Sequence, residues 1–131
     1  MTAINFAYTI ETEKSIEEAI TALEIHLKDE QFGVLWTFDI KEKLEEKGFQ
    51  LEEEFKVLEV CNPQEAERVL KEDKIVGYFL PCKIVVYKEK GKTKIGLPRP
   101  SALISMIDNQ NLKELALDIE QRLIACLDKS V

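Results

Sequence analysis

Cys61 is the residue best placed to do chemistry. It directly precedes Asn62-Pro63-Gln64-Glu65, an explicit helix start: Asn62 suits the N-cap, Pro63 the first helical position and Glu65 the third. Phe55 to Cys61 is rich in β-formers, so the thiol falls at a strand-to-helix turn, where ligand-contacting groups commonly sit. The N–H groups and dipole of a helix N-terminus favour a thiolate. That interaction is worth about 0.3–1 kcal/mol, or up to ~2 kcal/mol when partly buried. At about 1.36 kcal/mol per pKa unit, it would bring a thiol from about 8.5 to no lower than about 7. Cys82 comes 21 residues later, after Pro81 at an expected bulge, and bulges redirect side chains near sites. If the two strands are neighbours, the thiols face one another. They could then bind a thiophilic metal such as zinc or copper, form a redox disulfide, or hold a small ligand.

Each candidate also has an ordinary structural role. Cysteine often packs as a small hydrophobe, and Cys61 would pack on Ala66 as a staple. Asn62 suits capping, yet it would also orient a ligand beside Cys61. His26, the single histidine, lies beside the apolar face of the first helix. It would supply a third metal ligand or a general base, or else be a half-exposed surface residue. Two cysteines fall short of the four ligands of a structural zinc site. Asp39 is explained as an N-cap, and Cys126 lies on the apolar stripe of the last helix and reads as core. Trp36, Phe38, Tyr78 and Tyr87 fall in strand segments, where they would line a pocket or form core and dimer contacts.

The 131 residues carry 18 basic and 25 acidic side chains, a net charge of −7. Lys88, Lys90, Lys92 and Lys94 form the one basic cluster, which reads as edge protection. The acidic balance argues against nucleic acid and against an anionic membrane surface. No stretch approaches the roughly 18 apolar residues of a membrane span, and Met1 to Phe6 lacks the pattern of a signal peptide. Three widely spaced cysteines make no disulfide framework, so the expectation is a cytoplasmic protein with reduced thiols. The five glycines are too dispersed for a phosphate loop. One domain over residues 1–131 is expected.

The elements that must position these residues follow from pattern. Ile4, Phe6, Tyr8 and Ile10 alternate as a strand with one buried face. Ser15 and Glu18 make a capping box for a helix reaching about Lys28. Phe32 to Phe38 reads as a largely buried strand, and Asp39 with Glu42 opens a short helix that Gly48 ends. After the strand Phe55 to Cys61 and a helix to about Asp73, Ile75 to Leu80 reads as a strand. Lys83 to Lys88 and Lys92 to Leu97 flank a turn with Gly91 left-handed. Ser101 to Ile107 forms a short helix, and Asn111 with Glu114 caps a last helix whose apolar face runs from Leu112 to Leu127. The class is α+β: a mixed, mainly antiparallel sheet with helices mostly on one face, in the order β-α-β-α-β-α-β-β-β-α. An uncovered sheet face or edge would favour a homodimer.

Several segments together resemble a bacterial and archaeal family, domain of unknown function 302. They are Phe38-Asp39-Ile40 with Lys47-Gly48, Val60-Cys61-Asn62-Pro63 with Ala66, and Leu80-Pro81-Cys82 leading into Val85-Val86-Tyr87. The resemblance spans roughly residues 6 to 127 and implies a compact α+β protein that pairs as a homodimer. It implies no activity. One departure is Arg99-Pro100, where the family pattern would place an acidic residue before the proline. The functional expectation is a small homodimeric protein that binds a ligand or metal ion at Cys61, Asn62 and Cys82. The alternatives are a thiol redox enzyme with Cys61 as nucleophile, or an interaction module with buried thiols.

Overall fold

The computed structural model describes residues 5–131. Five strands form one open sheet: β1 (Ala7–Thr12), β2 (Gly33–Asp39), β3 (Phe55–Cys61), β4 (Cys82–Glu89) and β5 (Lys92–Pro98). Their spatial order is β1-β5-β4-β3-β2, and every pairing is antiparallel. Between and after them run α1 (Ile16–Asp29), α2 (Ile40–Glu46), α3 (Pro63–Glu72), a 3₁₀ helix (Lys74–Phe79), α4 (Pro100–Ile104) and α5 (Gln110–Lys129). Ile4, which the alternating pattern assigns to the first strand, lies outside the described residues.

The pleat divides the sheet into two unlike faces. Leu58, Val60, Ile84, Val86, Ile95 and Leu97 point to one face and are fully buried beneath Leu23 and Leu27 of α1, Val69 of α3, and Leu112 and Leu123 of α5. Their strand neighbours Val57, Glu59, Val85, Tyr87 and Lys94 point the other way and stay half-buried. No helix among the described residues is long and apolar enough to cross a membrane.

Local chemistry sets most boundaries as the sequence predicts. Ser15 and Glu18 form the capping box of α1, and Asp39 accepts the Glu42 N–H of α2 at 3.0 Å. Gly48 closes α2 at φ +85°, and the turn Lys90-Gly91 has both residues left-handed, the geometry that matches strand twist.

Three expectations change. Ile75 to Leu80 is not a strand: Asp73 accepts the Ile75 N–H through its side chain at 3.0 Å and the Val76 N–H through its carbonyl at 3.2 Å. Those bonds wind the segment into the 3₁₀ helix. β2 is an edge strand rather than a largely buried one, bulged between Val34 and Trp36, and leaves Trp36 56% exposed. The cap of α5 is Asn109, which accepts from Leu112 N–H, rather than Asn111.

Candidate functional site

The turn from β3 into α3 carries two of the predicted site residues in different roles. Asn62 is buried, and its Oδ1 accepts the N–H groups of Gln64 at 3.0 Å and Glu65 at 3.2 Å. Its Nδ2 donates to the Glu30 carbonyl at 3.2 Å, tying α3 to the end of α1. Cap donors engaged by Asn62 are not available to the preceding thiol. Cys61 is half-buried, and burial raises its pKa, opposite to the lowering expected from the helix terminus.

The register separates the two thiols. Cys82 stands opposite Val60, on the helix-covered face, whereas Cys61, one residue beyond Val60, is on the other face opposite Gly33. They therefore do not face one another, although they lie close enough for a charge on Cys61 to act on Cys82. Burial first, and that charge second, push the Cys82 pKa up to about 11. At pH 7 only about one Cys82 thiol in ten thousand is ionised. His26 lies half-buried on α1, where its backbone carbonyl accepts from Cys126 Sγ at 3.4 Å. Among the described residues no three His, Cys, Asp or Glu side chains form a metal-binding group, so His26 does not join the two cysteines. All three cysteines are free thiols, and Cys126 is buried in the core as its helical position predicts.

Cys82 instead faces a cavity. A space of about 400 Å³ lies between the start of β4, the end of β5, the 3₁₀ helix, α4 and α5. Its wall includes Val69, Phe79, Cys82, Leu103, Leu112 and Ala116. Among the described residues Lys83 is the single charged member of the lining, and its ammonium is engaged by Glu59 at 2.5 Å, on the sheet's other face. Tyr78, 83% exposed, stands at the rim. Tyr78, which the sequence pattern assigns to a strand, lies in the 3₁₀ helix, and the cavity is not visible in the sequence. No local pattern marks it, because its wall comes from segments far apart in the chain.

The connector beyond β5 fixes the cavity's α4 side. Arg99 donates its backbone N–H to the Phe6 carbonyl at 2.7 Å and pairs with the buried Glu120 at 3.3 Å. Glu120 also accepts Ser101 N–H at 2.9 Å and Ser101 Oγ at 2.6 Å. Arg99, which departs from the expected acidic residue, thus meets its acid on α5. Opposite, Arg122 binds Glu30 at 3.0 Å and the buried Glu65 at 3.1 Å, joining α1, α3 and α5.

A family model described as Domain of unknown function DUF302 matches residues 8–130. The crystal structure of an uncharacterized conserved protein DUF302 from Bacillus stearothermophilus is 54% identical, with a TM-score of 0.95. That match covers 98% of this chain and 100% of the other. No curated protein matches the chain.

Proposed function

The chain belongs to the DUF302 family, and from that premise we propose that it is a cytoplasmic, homodimeric binding protein holding a small molecule in the cavity walled by Cys82. One observation carries the reading: a domain of this size keeps about 400 Å³ of apolar-walled space beside its core. Small-molecule sites are concave, mostly apolar clefts of about 300–1,000 Å³, and this space has that form. An apolar occupant would cover wall that water otherwise wets.

A zinc or copper site is the weaker form of the reading, since metal ligation needs thiolates and burial raises both pKa values. The same protonation speaks against Cys61 as a redox nucleophile. The test uses two dyes with one anilinonaphthalene body, uncharged N-phenyl-1-naphthylamine and anionic 1-anilinonaphthalene-8-sulfonate. At least one should fluoresce with the wild type and lose that signal in Ala116→Leu and in Leu103→Trp, two independent cavity-filling variants. Failure of both dyes, or binding unchanged in folded variants, overturns the cavity reading.

Pairing of two copies is supported by the face the helices leave open. There Trp36 stacks on Phe38 at 5.2 Å, and Phe55 on Tyr87 at 4.8 Å. Aromatic groups on an open face are the kind of surface that protein interfaces enrich. Sedimentation equilibrium should give a dimer for the wild type and a folded monomer for Trp36→Ser. A wild-type monomer at tens of micromolar refutes the pairing.

A further inference from the structure

Resting on the cavity reading above, we propose that the occupant is an uncharged apolar molecule of up to about 16 heavy atoms, seated against Cys82, Leu103 and Ala116 and reached beside Tyr78. The size follows from volume. A cavity of about 150 Å³ accepts benzene, roughly 25 Å³ per heavy atom, so about 400 Å³ holds about 16.

The chemistry follows from what the wall does not offer. Among the described lining side chains only Lys83 and Tyr78 carry a nitrogen or oxygen atom, and Tyr78 stands at the rim. A site for polar ligands places such groups deliberately in its wall. The one charged side chain of the lining, Lys83, spends its ammonium on Glu59 across the strands. Cys82 presents a neutral S–H, a weak donor that behaves as a small hydrophobe. An ionised group carried into this space would lose water and gain no counter-charge.

A size-matched pair separates this inference from the reading beneath it. As competitors of N-phenyl-1-naphthylamine, uncharged 2-acetylnaphthalene should bind at least tenfold more tightly than anionic 2-naphthoate, with the dye signal itself lost in Ala116→Leu or Leu103→Trp. Cys82→Ser, which enlarges the space only slightly and adds a stronger hydroxyl dipole, should weaken the uncharged dye severalfold. Equal affinities of the two competitors, or tighter binding of the anionic one, would overturn the ligand class while leaving the cavity as the site. Binding of neither dye, or binding insensitive to both filling variants, overturns the cavity reading itself. If one filling variant fails to fold, the other decides.

Discussion

The titration of Cys82 is the sharpest consequence of the structure. Burial, followed by the neighbouring Cys61, lifts its pKa from 9.0 to about 11. Below pH 9 such a thiol carries about 100-fold less thiolate than an unperturbed one. Since the thiolate is the nucleophile, alkylation should be slowed by about the same factor before access is considered. The assay is iodoacetamide modification followed by mass spectrometry from pH 7 to pH 11, in protein carrying Cys61→Ser and Cys126→Ala. With Cys61 replaced, the smaller of the two causes is gone, so the midpoint should fall slightly yet stay above 9. A midpoint at or below 9 would refute the placement of Cys82 against an apolar cavity.

The same shift has a stability counterpart whose sign is fixed. An unfolded chain releases the Cys82 proton near pH 9.0, while the folded chain keeps it until about 11. The folded state therefore binds more protons between those values, and stability falls as pH rises through that window. At about 1.36 kcal/mol per unit, the loss attributable to Cys82 is at most about 3 kcal/mol. Other groups titrate there too, so the quantity to measure is the difference between wild type and Cys82→Ala in urea denaturation at pH 8 and at pH 10.5. The gap should narrow on the alkaline side. A gap that widens with pH would mean that the folded protein favours the thiolate.

Three further substitutions test the frame that holds the site. Asn62→Ala removes one buried acceptor for two N–H groups and a donor to Glu30, and should cost about 2–3 kcal/mol by chemical denaturation, with Asn62→Asp recovering the capping share. Gly96→Val puts a Cβ 3.0 Å from Thr9 Oγ1 and 3.1 Å from the Tyr8 carbonyl, so β1 must shift and stability should drop by about 1–3 kcal/mol. Arg122→Leu strips Glu30 of its ion pair and leaves buried Glu65 to Arg68 alone; a loss of about 2 kcal/mol is expected, partly recovered by Glu65→Gln.

What was legible in the sequence is what short-range chemistry decides. Ser15 with Glu18, Asn62 with Pro63, and Gly91 each fix a few backbone dihedrals, and each behaves as its residue type predicts, whereas the left-handed Lys90 beside Gly91 does not follow from its residue type. The Ile75–Leu80 segment misled because a short apolar run carries no periodicity that separates a strand from a helical turn. Its decisive residue, Asp73, stands just before the run and acts through one side-chain bond to Ile75 N–H. The exposure of Trp36 was not legible, because an edge strand and a central one share the same alternation until the sheet order is known.

The fate of the cysteines shows where local reading ends. Cys61 ends β3 as the sequence implies, Cys82 opens β4 where a bulge was expected, and the two strands are neighbours. Yet Cys82 pairs with Val60 rather than with Cys61, and side chains alternate with a period of two. That single step of register sends one thiol toward the helices and the other to the open face. It removes the facing pair on which a shared thiolate site was expected, and it gives Cys82 a different partner. That partner is a cavity assembled from β4, β5, the 3₁₀ helix, α3, α4 and α5, held by Arg99 on Glu120 at one side and by Arg122 on Glu65 at the other. The buried charges thus lie in the frame, and the space they hold open is left apolar.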